Sequence, residues 1–284
     1  MHAIGCFICA FPHIGGRRDD AYHRVLPAGV FARMLMNSVL DQDALRTGLL
    51  MAAGSLRAVM EVMLSAHLRA GGAAFETVYG PSEKLRQSIA EGRTPDVFAS
   101  ASLAHLEMLA PRRLLGPSSV FARNALCVVA RPERHFDATK FAECLCDPAV
   151  RLATSTPGSD PMGDYTWQLF RNIGRQRPGA FEQLSQNARQ LSGADIPAAN
   201  ERSPYIAAFE EDRADAYVMY RTNAMLVKQA MPQLQLIPVP DAYNVHCAYG
   251  IAAAMELSIG RHFVSFVLSP AGRKILTQHG FEMP

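Results

Sequence analysis

The sequence predicts an α/β fold with a largely parallel sheet in each of two units. Three observations carry this. From Thr47 onward, apolar runs of strand length alternate with segments of helical period. Junctions at which a strand feeds a helix recur, at residues 47–60, at Gly80-Pro81-Ser82 and at Asp160-Pro161-Met162-Gly163-Asp164. The chain has 284 residues, 49% hydrophobic and 19% charged, enough for one large domain or two lobes with a substantial core.

Taken in order, residues 1–46 differ in composition. Gly15 to Asp20 reads as loop and 30–40 as a short apolar helix, and the segment is expected to be an appendage outside the core. Residues 49–53 read as a buried strand. Leu56, Val59, Met60, Met63, Leu64 and Leu68 recur at helical spacing and place a helix over 56–70, stopped by Gly71-Gly72. A strand at 74–79 precedes a helix from Ser82 to Glu91. A short strand at 96–99, a helix at 103–109 and a longer strand-like run at 120–130 complete the first unit. The second holds a helix at 140–146, a strand at 151–155, helices at 164–173 and 203–212, and a strand at 214–220. Strands at 235–238 and 248–253 follow, then a helix at 256–268. The last helix, 269–279, has Pro270 in its first turn and Gly280 at its end. No internal repeat of fixed period is visible.

Composition and motifs exclude several classes. A net charge of +2 gives no case for nucleic acid, and the group Arg171, Arg175 and Arg177 lacks interleaved aromatic residues. No run has the length of a membrane span. The apolar stretch 3–11 lacks the basic start and cleavage site of a signal peptide. Cys6 and Cys9 form a C-x-x-C without a second pair, and Cys144 and Cys146 are too close for a zinc pair. With Cys127 and Cys247 these six are expected to be unpaired thiols. Nine histidines form no metal motif. Adjacent residues His246 and Cys247 in a strand face opposite ways, which disfavours a nucleophile–base pair. Glu210, Glu211, Asp212 and Asp215 read as a solvated helix end. The expectation is no catalytic residue, no metal ligand and no cofactor.

The junctions carry a different chemistry. A helix N-terminus presents free backbone N–H groups, and its natural guest is an anion. Ser55 and Ser82 add hydroxyls at two such junctions. Tyr220 ends its strand just before Thr222-Asn223 opens another helix, which places a phenol at the edge where open α/β sheets bind ligands.

Six segments then carry a resemblance: MAAGSLRAVM (51–60), YGPSEKLRQSIAEG (79–92), PDVFASAS (95–102), STPGSDPMGDYTWQLF (155–170), RADAYVMYRTNA (213–224) and LSPAGRKILTQHGFEMP (268–284). In order and spacing the chain from Thr47 on resembles the molybdate-type solute-binding proteins of bacterial ABC importers. The resemblance implies the type II periplasmic-binding-protein fold, two lobes with a two-stranded hinge. Lobe one would hold 47–122 and 248–284, and lobe two 123–247. It implies capture of molybdate or tungstate by neutral donors: the hydroxyls of Ser55 and Ser82, the backbone N–H of Met162, the phenol of Tyr220 and a backbone N–H near Arg202 or Ser203. Such ions are fully ionised at neutral pH and offer only acceptors, so O–H and N–H donors suit them. The implied partners are a small inorganic oxyanion and an ABC permease, the implied place is the periplasm, and a monomer is expected. The departures are the reduced serine turn at Gly80-Pro81-Ser82, the bulk of Met162, Arg221 beside Tyr220 and the missing export signal. Alternatives are another small anion on the same fold, such as sulfate or a carboxylate, and a cytosolic anion-sensing domain using residues 1–46.

Overall fold

The computed structural model describes residues 46–193, 203–255 and 258–284; the readings made of residues 1–45 and of Arg202 lie outside them. Ten strands fall into two sheets. The first contains β1 (Gly48–Ala53), β2 (Phe75–Gly80), β3 (Val97–Ser100), β4 (Ser119–Asn124) and β10 (Cys247–Ala253), in the order β2-β1-β3-β10-β4. The second contains β5 (Leu126–Ala130), β6 (Leu152–Ser155), β7 (Arg189–Ser192), β8 (Ala216–Tyr220) and β9 (Gln235–Pro238), in the order β7-β6-β8-β5-β9. Ten helices are described: α1 (Arg57–Arg69), α2 (Ser82–Ala90), α3 (Leu103–Leu109), α4 (Phe141–Cys146), α5 (Pro161–Gln176), α6 (Ala180–Asn187), α7 (Pro204–Glu210), α8 (Arg221–Ala230), α9 (Ser258–Leu268) and α10 (Pro270–Gln278).

Both sheets are mixed. β1 runs parallel to β2 and β3, and β6 parallel to β7 and β8. β10 is antiparallel to β3 and β4, and β5 is antiparallel to β8 and β9. The two lobes thus share one plan, three parallel strands followed by two antiparallel ones, although no repeat shows in the sequence. Central strands are buried on both faces and read as continuous apolar runs: all of β3, β5 and β8 is buried. Helices contribute one apolar stripe each. Val59, Met60 and Met63 of α1 are buried at the helical spacing that predicts them.

The run 120–130 is two strands, not one. The chain leaves the first sheet after Asn124 and enters the second at Leu126, with the Asn124 Oδ1 accepting the Ala125 N–H at 3.0 Å. Apolar alternation does not register a change of sheet. α5 begins at Pro161 rather than 164, because Asp160 caps it and proline fits the first helical position. Gly163 lies in that first turn against the Thr156-Pro157 backbone, and a Cβ would collide there. α6 and the edge strand β7 escape the sequence reading; β7 is short and mostly exposed, with no alternation to detect.

In each lobe a buried aspartate ties the first strand to the third. Asp96, just before β3, accepts the Leu49 N–H at 2.7 Å. Asp215, just before β8, accepts the Arg151 N–H at 2.9 Å, next to β6. Both side chains are 1% exposed.

Candidate anion-binding cleft

Four of the five predicted donors, Ser55, Ser82, Met162 and Tyr220, fall where the parallel part of a sheet hands over to a helix, and Ser203 stands at a helix start. Ser55 lies in the short turn Gly54–Leu56 between β1 and α1, and Ser82 opens α2 after β2. Met162 is in the first turn of α5 after β6, Ser203 caps α7, and Tyr220 ends β8. These are the carboxyl ends of β1, β2, β6 and β8, where ligands bind in open α/β sheets.

On the first lobe the donors are already engaged in hydrogen bonds. Ser82 is buried, and its Oγ accepts the Ala101 N–H at 3.1 Å, so its own O–H has no assigned acceptor. Ser55 Oγ lies 3.1 Å from the Tyr249 hydroxyl. Asn124 Nδ2 donates to Thr222 Oγ1 at 2.9 Å and to the Tyr249 hydroxyl at 3.4 Å. In the Ser55–Tyr249 contact either hydroxyl can donate, so Tyr249 links Ser55 to Asn124 without fixing the direction of the Ser55 proton. The relay of polar contacts runs from the lobe crossing to the cleft.

On the second lobe the donors are less committed. Tyr220 is buried, and among the described residues its hydroxyl makes no hydrogen bond of good geometry, only a loose approach to the Tyr249 hydroxyl. Burial holds its phenol well above the ordinary range, so it stays a donor. The Met162 N–H is directed at Asp160 Oδ1, at 3.4 Å, longer than a good N–H···O bond. Ser203 makes no side-chain cap bond. Arg221, next to Tyr220, turns away: its Nη2 donates to the Gly280 carbonyl at 2.9 Å and pairs with Glu282 at 3.3 Å.

Aromatic contacts bring the two rims together. The Tyr220 ring lies 5.6 Å from Tyr249 of the first lobe and 6.4 Å from Tyr165 of α5. Burial raises the Tyr165 phenol to about 12, opposed by hydrogen bonding from the Ala248 backbone and the Ser102 side chain of the first lobe. Ser102 follows Ala101, the partner of Ser82. The charged groups near this seam are Asp160, Asp164 and the Glu83–His105 pair, whose closest atoms are 3.5 Å apart. Burial lowers the His105 pKa, and Glu83 opposes it.

Sequence reasoning missed Tyr249, Asn124 and Asp160. Tyr249 was hidden in an apolar strand, where a phenol reads as packing. Asp160 was visible as the first residue of its junction, but its acidity carried no weight in a donor list.

Enzyme readings gain nothing from the geometry. The Cys247 thiol is buried and pushed up by that burial, whereas His246 is exposed. Asp212 and Asp215 are bound to Arg151 and work as structural ion pairs. Cys127, Cys144, Cys146 and Cys247 are free thiols, and among the described residues no cluster of histidine, cysteine and acidic side chains could hold a metal.

Comparison with known proteins agrees with this geometry. Residues 49–282 match the family model described as bacterial extracellular solute-binding protein. An uncharacterized protein of Pasteurella multocida is 31% identical over 238 residues, 82% of this chain and 97% of its own. The molybdate-binding protein ModA of Mycobacterium tuberculosis is 29% identical over 210 residues, 72% of each chain. Among solved structures, the periplasmic molybdate-binding protein of Azotobacter vinelandii superposes with a TM-score of 0.67 at 17% identity, covering 83% of this chain and 99% of that one. The sulfate-binding protein SubI of Mycobacterium tuberculosis reaches the same 0.67 at 16% identity, over 84% and 86%. At such identities the superpositions establish the two-lobed type II binding-protein fold and leave the ligand open.

Proposed function

The chain belongs to the bacterial extracellular solute-binding proteins, a non-enzymatic family, and on that premise we propose that it captures a tetrahedral oxyanion, molybdate or tungstate, for an ABC importer. The observation that carries this is the buried Tyr220 hydroxyl, which makes no well-formed hydrogen bond among the described residues. A buried hydroxyl left unpaired costs about 1–3 kcal/mol, and a ligand oxygen would recover it. Ser55, Ser82 and the backbone N–H groups of Met162 and Ser203 complete the donor set in this reading. A dianion surrounded by neutral donors from both lobes favours the closed arrangement, because only there are all contacts made. The working form is a periplasmic monomer that needs no cofactor and delivers its anion to a permease.

The test is a thermal-shift panel of oxyanions followed by calorimetry. Molybdate and tungstate should each raise the melting temperature; a hundredfold excess over Kd stabilises by about 2.7 kcal/mol. A shift with sulfate or a small carboxylate alone would move the reading to that anion. No shift with either metalate at millimolar concentration would end it.

A further inference from the structure

Beside the donor set stands one group that does not fit a fully ionised guest. Asp160 caps α5 in the same junction as Met162, and its carboxylate lies close enough to the seam that its charge acts on the phenols of Tyr205, Tyr217 and Tyr220. Its hydrogen bonds can be counted. The Met162 N–H reaches Oδ1 at 3.4 Å, and Ser155 Oγ reaches Oδ2 at 2.5 Å. Ser155 has one proton and a second acceptor in range, the Ser192 carbonyl at 3.1 Å. That carbonyl already takes the Thr156 N–H at 2.9 Å and the Thr156 hydroxyl at 3.0 Å, which fills its two lone pairs. Ser155 therefore donates to Asp160. Among the described residues the carboxylate then accepts two bonds, one of them long, where it has about four lone-pair positions.

An anion seated among Tyr220, Met162 and Ser82 would meet this carboxylate with acceptors facing acceptors. The surrounding groups do not relieve the clash. Asp164, on the same helix, repels it; Tyr165 of α5, Tyr205 of α7, Tyr217 and Tyr220 of β8 and Tyr249 and Cys247 of β10 are neutral. Across the seam stand His105 and Glu83 of the first lobe. A proton between Asp160 and the anion turns the repulsion into a hydrogen bond.

We propose that Asp160 is the specificity-determining residue of the cleft: a fully ionised oxyanion binds only together with one proton, taken from solvent onto the Asp160 carboxyl, which then donates to the anion. This rests on the oxyanion reading. It follows that an oxyanion already carrying a proton enters without proton uptake. Burial, which raises the Asp160 pKa, pushes the same way.

The experiment is calorimetry of molybdate binding to the full chain in buffers of differing ionisation enthalpy between pH 7 and 9. Wild type should take up close to one proton per molybdate where Asp160 is ionised in the empty protein, and its apparent Kd should rise about tenfold per pH unit there. Asp160→Asn keeps a capping oxygen and should bind molybdate with uptake near zero and a flat pH profile. Ser155→Ala removes a bond that favours the ionised form, so its affinity should begin to fall at higher pH than wild type. Binding to wild type without proton uptake, or an unchanged pH profile in Ser155→Ala, overturns the role of Asp160 while leaving the oxyanion reading intact. A wild-type protein that binds neither molybdate nor tungstate overturns both.

Discussion

The two lobes are built on one plan and finished differently at the cleft. Each has three parallel strands, a buried aspartate binding the first strand to the third, and helices rising from the strand ends. At the first lobe's rim the polar groups are already engaged: Ser82 holds the Ala101 N–H, and Ser55 sits at the end of the relay from Asn124. At the second lobe's rim, among the described residues, Tyr220 makes no well-formed hydrogen bond and Asp160 accepts only two. The difference teaches that one half is preorganised to receive an anion, whereas the other is completed by it. The same contrast extends behind the rims. Among the described residues Asp96 pairs with Arg46 alone, but Asp215 is bound by both Arg134 and Arg151.

The largest expected effect breaks the scaffold half of this comparison. Asp215→Asn strands two arginines and should destabilise the protein by about 3 kcal/mol, the low end for a broken buried pair because both arginines are partly exposed. Urea unfolding measures this, and Asp96→Asn should cost less. The pH dependence has a definite sign. Hydrogen bonds from Arg151 hold the Asp215 carboxyl well below the usual range. Its contribution is therefore complete above the unfolded value, about 3.9, and is lost as pH falls below it. Acid titration of wild type should show a loss of stability below about pH 4 that Asp215→Asn does not share.

The rims come next. Tyr220→Phe should weaken oxyanion binding by about ten- to a hundredfold, as expected for losing a donor to an ion, worth roughly 1.5–3 kcal/mol. The empty protein should be no less stable, because the hydroxyl removed makes no well-formed hydrogen bond among the described residues. Ser82→Ala should weaken binding similarly but also lower the stability of the empty protein by about 1–3 kcal/mol, since the Ala101 N–H is left unpaired. Calorimetry combined with unfolding of both variants separates a preorganised rim from one completed by ligand. Equal stability losses in the two would erase the distinction. The smallest effect belongs to Ser203→Ala. Its side chain makes no cap bond, and only its backbone is proposed to act, so affinity and stability should both stay within about 0.5 kcal/mol of wild type.

Much of this architecture was legible in the chain because it is written in period and punctuation. The stripe of α1 and the continuous apolar runs of β1, β5 and β8 identify their elements locally. The predicted donors were legible for a related reason: a hydroxyl or small turn at a strand end is a sequence-level sign of a helix start. What stayed hidden was relational. Nothing local marks residue 125 as the point where one sheet becomes another, and β7 is too short and exposed to carry a pattern. Asp160 could be read as a cap, but its meeting with three phenols depends on a helix and a strand that lie some 45 to 60 positions further along the chain. Tyr249 likewise acquires its role only through Asn124, 125 positions away.

The passage through residue 125 has a mechanical consequence. Its N–H is held by Asn124, and its carbonyl accepts the Arg221 N–H at 2.8 Å, so a single amino acid pinned on either side joins β4 to β5. Such a joint has no slack to slide. It acts as a fulcrum, with the strand ends that carry Tyr220 and Ser55 as short arms of a pair of tweezers. Whatever distance separates the jaws, they must meet tip to tip: the joint sets the path of closure, and the guest sets how far along it the protein rests.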